Sequence, residues 1–422
     1  MRDGVFSCTG SYLNIRNGYF RTALLCGAAT SALLMAPPPA TAQSADPIIN
    51  SWVGGTSSDI TVRENWQNGN NYPDAFDGRV VINTTPANSA TWTIKEESWV
   101  ENPAWPNWNS SNYWEVGSLE IGSGLGGNGT LTVRMDENSA DEYYSEASIS
   151  SPNALQVGIN QGVGTLNLDL RPAGTAAEGI ALRAGGWSGT AGLIVGDNFG
   201  TGTVNILGRG KKVESQSDYG NEAGSLRIYS AVNYVGRNDG TGTITIDDAG
   251  FATENHGDGA AAGLQVGTLR GTGTINVLNG GKLAASMGSS STGGATIIGA
   301  SGGTGTIEIS GFNTDTNHAS TGTFKNGMSV GVLAGGRGTF NVLAGGKALN
   351  YQDDYALCST GTCADPDPIR LGVAGGTGDA TVSGAGSIWN VAGGIREHDD
   401  DPPILENHGI GQLHVGVSGT DH

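Results

Sequence analysis

The chain has 422 residues, of which 71 are Gly and 14 are Pro, and its 40 Asp and Glu against 21 Lys and Arg give a formal net charge of −19. The glycines do not recur at every third position, which excludes a collagen-like helix, and the regular Val, Ile and Leu pairs between them argue against disorder. The negative surface field repels phosphate backbones and anionic lipid headgroups, so we expect no nucleic-acid partner and no binding to headgroups.

The N-terminus has the features of an export signal. Arginines precede a mostly apolar run over residues 22–36, and Ala40-Thr41-Ala42 then supplies the small-x-small pattern that signal peptidase accepts. We therefore predict a signal peptide over residues 1–42, cleaved between Ala42 and Gln43. The run is too short for a membrane span of about 20 residues, and no later segment qualifies, so we expect no membrane insertion of the mature chain. The alternative is a buried N-terminal helix, which the prolines at 37–39 would end.

Residues 43–115 form a tryptophan-rich segment. We predict that it makes an N-terminal cap or the first coils of the domain that follows, because a cap protects an open strand edge from pairing with another chain. The alternative is a platform on which sugar rings stack. The segment holds seven of the nine tryptophans: Trp52, Trp66, Trp92, Trp99, Trp105, Trp108 and Trp114.

One glycine-rich unit repeats through residues 116–422. It comprises an apolar pair ending in Gly, a short polar turn, and Gly-Thr followed by alternating apolar and polar residues. The clearest copy contains Leu264-Gln265-Val266-Gly267 and Gly273-Thr274-Ile275-Asn276-Val277. We call the Gly that ends the apolar pair the anchor glycine, and the anchors of the central copies are 31 or 32 residues apart. The nine anchor glycines are Gly122, Gly158, Gly196, Gly236, Gly267, Gly299, Gly331, Gly372 and Gly416.

The repeat predicts an all-β fold, a parallel β-helix or β-solenoid. Alternation with period two gives each strand one apolar face, which a lone unit cannot bury, so coils must stack along an axis. The best copy predicts three strands per coil, at residues 264–266, 274–278 and 282–285. The competing structure is a β-propeller, whose blades need four strands. The repeats of a propeller are similar in length to the unit found here.

Two cysteines remain after the predicted signal is removed. Cys358 and Cys363 are five positions apart, and in an oxidising compartment they can close one small disulfide loop. A free thiol pair and a metal site are the alternatives, although further metal ligands with suitable spacing are missing from the nearby sequence.

The opening of the mature chain resembles a known family. Trp52-Val53-Gly54-Gly55, followed by Glu64-Asn65-Trp66 and then Gly69, is similar to the opening of many bacterial autotransporter passenger domains, and the downstream repeats are similar to the glycine-rich repeats of that family. The resemblance implies a type V secretion passenger folded as a right-handed parallel β-helix. It also implies display at the outer membrane of a Gram-negative bacterium or release into the medium, and a role in adhesion, aggregation or host contact, hence in virulence.

The resemblance further implies an outer-membrane β-barrel translocator as partner. The amphipathic strands and aromatic C-terminus of such a barrel are missing from this sequence, which stops within a repeat. We expect a truncated reading frame, with a fragment and a barrel in a separate chain as alternatives. A host-surface or glycan receptor is a further partner that the resemblance implies, and the sequence does not identify it.

The sequence offers little support for catalysis, and we predict no catalytic residue, cofactor or designed metal site. The acidic run 397–401 precedes two prolines and is typical of a solvated loop. Gly375-Gly376-Thr377-Gly378-Asp379 misses the calcium nonapeptide pattern by one position, and the histidines lack the spacing of a zinc protease. The alternative function is a secreted β-helix polysaccharide lyase or hydrolase with carboxylates in a surface groove.

Overall fold

The computed structural model divides into two compact units, Met1–Ala45 and Asp46–His422. The predicted cleavage site, Cys358 and Cys363, the acidic run 397–401 and Gly416 lie outside the described residues. The structure describes residues 49–54, 57–60, 62–67, 79–84, 89–94, 113–115, 117–135, 145–150, 155–169, 180–185, 192–208, 225–229, 232–255, 263–288, 295–315, 317–325, 327–351, 369–390 and 413–415.

The second unit is a right-handed parallel β-helix, the hand that crossovers between parallel strands adopt almost without exception. Each full coil contributes one strand to each of three parallel sheets, and each strand pairs with its counterparts in the coils before and after it. This arrangement confirms the predicted fold class and is incompatible with the ring of blades in a propeller. The three strands observed for the best copy, Gly263–Thr268, Thr272–Leu278 and Lys282–Gly288, include the three that its sequence predicts.

The first sheet carries the anchor glycines, and we call it the anchor sheet. Its strands are Ile49–Ser51, Arg79–Ile82, Leu119–Ser123, Leu155–Ile159, Leu193–Asp197, Val232–Arg237, Gly263–Thr268, Thr296–Ala300, Met328–Val332, Ile369–Val373 and Leu413–Val415.

The second sheet begins most of its strands near Gly-Thr, and we call it the Gly-Thr sheet. Its strands are Ala90–Ile94, Asn128–Met135, Val163–Asp169, Thr201–Leu207, Thr241–Asp247, Thr272–Leu278, Thr304–Ser310, Arg337–Leu343 and Thr377–Ser383.

The third sheet, which we call the closing sheet, completes each coil. In the described part of the chain a 3-10 helix at Arg63–Asn65 and an antiparallel pair, Phe312–Asn313 with His318–Ala319, lie outside the three sheets. The closing-sheet strands are Tyr113–Glu115, Ser145–Ser150, Ile180–Gly185, Ser225–Tyr229, Gly250–Asn255, Lys282–Gly288, Thr321–Lys325, Lys347–Tyr351 and Ile388–Asn390.

Apolar side chains from the three sheets fill the interior. In Thr241–Asp247 the side chains of Ile244 and Ile246 are fully buried, whereas Thr243 and Thr245 face outward and are half-buried. Five of the neighbouring Gly-Thr strands repeat this pattern, so the buried residues form one continuous core cluster. Burial of each such Ile or Val contributes roughly 1.5–3 kcal/mol. A single unit cannot bury these side chains by itself, so this stabilisation requires stacked coils.

The anchor glycines lie where the anchor sheet bends toward the Gly-Thr sheet. The eight that the structure describes have φ between 65° and 72°, a left-handed conformation that costs other residues about 1–2 kcal/mol. At Gly267 a Cβ would also overlap the carbonyl group of Thr304 in the next coil. Only glycine fits because the neighbouring backbone occupies the space of a side chain.

The backbone ladder continues around this corner. The Gly240 N–H donates to the Arg237 carbonyl at 2.9 Å, closing a turn whose central residues, Asn238 and Asp239, both have positive φ. The turns of successive coils are also bonded to each other, as when the Phe199 N–H donates to the Asn238 carbonyl at 3.2 Å. Adjacent coils therefore remain in register from the anchor sheet to the Gly-Thr sheet.

Three tryptophans of the N-terminal segment belong to the solenoid core. Trp52 and Trp66 pack edge to face with ring centroids 5.3 Å apart, and Trp66 Nε1 donates to the Ile60 carbonyl at 2.9 Å. Trp92 is fully buried on a Gly-Thr strand. These three rings are covered by protein, which is incompatible with a sugar-stacking role for them.

Candidate functional site

One corner of the solenoid carries an insertion. The connection from the Gly-Thr sheet to the closing sheet is short in the two neighbouring coils, where the Gly281 N–H donates to Leu278 and the Gly346 N–H donates to Leu343. In the coil between them, residues 311–320 replace this turn. We call residues 311–320 the hairpin insertion.

Local interactions fold the hairpin insertion. Phe312 pairs with Ala319 and Asn313 with His318 in an antiparallel ladder. The Asp315 N–H donates to Asn313 Oδ1 at 2.9 Å, an Asx turn that reverses the chain. Asn317 takes a positive φ of 60°, a conformation that Asn tolerates better than most residues.

A buried serine fixes the base of the hairpin to the preceding coil. The hydroxyl of Ser320 donates to the Ser310 carbonyl at 2.6 Å and accepts the Gly280 N–H at 3.0 Å. Ser320 has no exposed surface. Ser387 makes the same contacts at the corner between the strands Thr377–Ser383 and Ile388–Asn390. Its hydroxyl donates to the Ser383 carbonyl and accepts the N–H of Gly345 in the preceding coil.

The hairpin insertion forms one wall of a groove of about 360 Å³. The corners of three preceding coils form the rest of it, so the groove runs along the stacking direction of the coils. Its lining combines carboxylates, amides, an aromatic ring and an aliphatic side chain: Leu207, Gly208, Asp247, Asp248, Asn279, Phe312, Asn313 and Thr314.

The groove is electrostatically negative. Asn279 Nδ2 donates to Asp247 Oδ1 at 2.9 Å, which holds that carboxylate in place. Burial raises the pKa of Asp248, and the charges of Asp247 and Asp315 raise it further, against a hydrogen bond from Asn313 that lowers it. Asp248 Oδ1 is buried without a hydrogen-bond partner among the described residues. The lining holds two carboxyl groups and, among the described residues, no Lys or Arg, so the groove is acidic.

This arrangement is suited to recognition by hydrogen bonds and ring contact. Carboxylates accept hydrogen bonds, amides both donate and accept, and the Phe312 side chain is 46% exposed. Within the described part of the chain, no three His, Cys, Asp or Glu side chains are grouped so as to hold a metal ion.

Sequence reasoning missed this groove. The anchors Gly299 and Gly331, on either side of the hairpin insertion, have the regular spacing of 32 residues, which conceals the extra residues between them. The signal that could have revealed the insertion was the number of residues between the end of one Gly-Thr strand, Thr304–Ser310, and the start of the next closing-sheet strand, Thr321–Lys325.

The residues of the near-calcium pattern lie elsewhere. Ala374 and Gly375 take positive φ at a corner between the anchor and Gly-Thr sheets, and Asp379 is exposed on the strand Thr377–Ser383. Of the histidines, His318 lies in the hairpin insertion and His414 in the strand Leu413–Val415. The structure does not bring the near-calcium residues to the groove.

A second polar feature consists of ion pairs between coils. Arg237 bonds to Asp197 at 2.7 Å and stacks over Tyr234, and Arg270 bonds to Asp239 at 2.6 Å. The hydrogen bond from Arg270 lowers the pKa of Asp239. Each of these pairs joins an anchor-to-Gly-Thr corner to the preceding one, so they offset part of the acidic charge within the stack.

Comparison with protein-family models, with curated proteins and with solved structures finds no match to this chain. In the residues that the structure describes, no helix is long and apolar enough to cross a bilayer.

Proposed function

We propose that this chain is an exported passenger of the autotransporter type, which acts at a Gram-negative cell surface or in the medium in adhesion, aggregation or host contact, without catalysing a reaction. The observation that carries the proposal is the β-helix itself. Parallel strands are stacked coil on coil from Ile49–Ser51 to Leu413–Val415, the fold that the resemblance implies.

The sequence before the β-helix supports export. The apolar run at 22–36 and Ala40-Thr41-Ala42 form a leader ahead of the first strand. The stacked coils in turn present long, regular faces, and such extended surfaces suit binding rather than a single enclosed chemical step. We propose an outer-membrane β-barrel translocator as the partner that carries the passenger across the membrane.

Surface display tests this proposal. The full chain is joined in frame to an autotransporter β-barrel and expressed in a Gram-negative host. We expect an antibody to detect it on intact cells, its mature N-terminus to be Gln43, and the cells to aggregate or adhere more than cells that carry the barrel alone.

Two outcomes contradict the proposal. Recovery of Met1 on the exported form would refute cleavage after Ala42. Release of reducing ends from polysaccharides by the purified chain, abolished by a single Asp or Glu substitution, would identify a glycan-cleaving enzyme instead.

A further inference from the structure

We infer that the groove beside the hairpin insertion binds a short saccharide unit that carries no acidic group, with Phe312 against a sugar ring and Asp247, Asn279 and Asn313 bonded to its hydroxyls. The inference deepens the proposed role in adhesion and rests on it for its biological setting. Its physical basis is the shape, chemistry and charge of the groove.

The shape of the groove indicates a small ligand. Its volume of about 360 Å³ falls at the lower end of the ~300–1,000 Å³ that is usual for small-molecule sites. The hairpin insertion that walls it is held by the buried Ser320 hydroxyl to both the Ser310 carbonyl and the Gly280 N–H. The base of the wall is therefore fixed to the β-helix by side-chain hydrogen bonds.

The lining matches a polyhydroxylated ring. Sugar hydroxyls both donate and accept hydrogen bonds, and the groove offers carboxylate acceptors at Asp247 and Asp248 beside the amides of Asn279 and Asn313. Phe312 adds an exposed apolar ring at the rim. The lining is thus mainly polar, with Phe312 and Leu207 as its apolar side chains, a composition suited to a ligand that is itself rich in hydroxyls.

Charge selects among saccharides. The two aspartates in the groove, the nearby Asp315 and the net charge of −19 repel carboxylated and sulfated sugars. Neutral sugars avoid this repulsion, and the ammonium group of an amino sugar is attracted. We therefore assign the groove to neutral or amino saccharides.

The test compares binding by the exported, purified chain with binding by variants of the groove. The probes are immobilised oligosaccharides in three classes: neutral hexose oligomers, glucosamine oligomers, and uronate or sulfated oligomers. We expect binding to the first or second class and none to the third. Phe312→Ala and Asp247→Asn should each weaken it about tenfold or more, the equivalent of roughly 1.4 kcal/mol.

Matched controls use the same residue types at remote corners. Phe199 is 63% exposed and Asp239 lies on the edge that joins the anchor and Gly-Thr sheets, so Phe199→Ala and Asp239→Asn should leave binding within about twofold of the unmodified protein. A third variant replaces residues 311–320 by Ala-Gly-Gly, the turn that residues 344–346 form in the next coil. It removes the groove wall by means of a corner that this fold already uses, and circular dichroism reports whether the β-helix is kept.

The outcomes separate this inference from the proposed function. Loss of saccharide binding in the groove variants, with the controls unaffected, supports the inference. Absence of binding to all three probe classes, binding only to acidic probes, or equal binding by the variant without the hairpin overturns it. Cells that display the chain and adhere, while the purified chain binds none of the three probe classes, overturn the inference and leave the proposed function standing. Purified chain that binds sugar through the groove, from cells that neither display it nor adhere, overturns the proposed function alone.

Discussion

At the scale of single residues, two different demands placed on glycine can be separated experimentally. Gly267 has positive φ and also lies against the Thr304 carbonyl, whereas Gly126 has positive φ and no atom within 4 Å of an added Cβ. The first position combines conformational strain with a backbone clash, and the second has the strain alone.

We predict that Gly267→Ala destabilises the protein much more than Gly126→Ala. The control substitution should cost about 1–2 kcal/mol, the usual cost of a left-handed alanine. The anchor substitution adds displacement of one coil from the next, so its cost should exceed the control by at least ~2 kcal/mol. Denaturant titration followed by circular dichroism measures both. Equal costs would show that close contact between coils is not what requires glycine at the anchor.

Asp248 gives a prediction on pH. Its pKa is raised in the folded protein, mainly by burial, so the folded state holds this proton more tightly than the unfolded chain, whose pKa is about 3.9. The free energy of unfolding therefore falls as the pH rises through the unfolded pKa and up to the folded one. Asp248→Asn removes this loss, and Asn also tolerates the positive φ of 52° found here.

The variant Asp248→Asn should thus be more stable than the unmodified protein at neutral pH. The difference should vanish well below the unfolded pKa of about 3.9, where Asp is protonated in both states. Asp239→Asn is the matched control. The hydrogen bond from Arg270 lowers the pKa of Asp239, so this substitution should reduce stability at neutral pH rather than increase it. Thermal melts between acidic and neutral pH measure both. A stability gain for Asp248→Asn that does not change with pH would contradict the assignment.

At the scale of structural elements, the hairpin insertion depends on one hydroxyl. Ser320 is fully buried and its hydroxyl bonds to backbone groups on both sides. We predict that Ser320→Ala costs about 1–3 kcal/mol, because it leaves the buried Gly280 N–H and the partly buried Ser310 carbonyl without this partner. Ser329→Ala, on the half-buried outer face of the anchor sheet, should cost less than ~0.5 kcal/mol. Urea titration of the two variants tests the difference, and equal costs would show that the hydroxyl contributes nothing to stability.

The sequence could predict the regular elements because their determinants are local. Period-two alternation in Thr274-Ile275-Asn276-Val277 and the glycine at Gly267 suffice to place the strands of that coil. The hairpin insertion could not be predicted in this way. A short link from Thr321–Lys325 to Met328–Val332 compensates for its ten residues, so the spacing of the anchor glycines stays regular. The groove also brings together corners from successive coils, so its members are distant in sequence and no short motif contains them.

At the scale of the whole described β-helix, stability is coupled between neighbouring coils. In a solenoid each unit gains most of its stability at the interfaces with the units before and after it. Here the ladder of every sheet and the core cluster pass through successive coils. The cost of a core substitution should therefore depend on how completely neighbouring coils cover the side chain.

Val342 and Val382 offer a matched pair for this idea. They are register partners in adjacent strands of the Gly-Thr sheet, yet Val342 is fully buried and Val382 is 46% exposed. Val342→Ala should cost about 2–3 kcal/mol, from the lost burial of two methyl groups and the cavity that remains. Val382→Ala should cost about 1 kcal/mol or less, because water already reaches that side chain. The midpoint of denaturant unfolding measures both, and a cost at Val382 equal to that at Val342 would contradict the dependence on coverage by neighbouring coils.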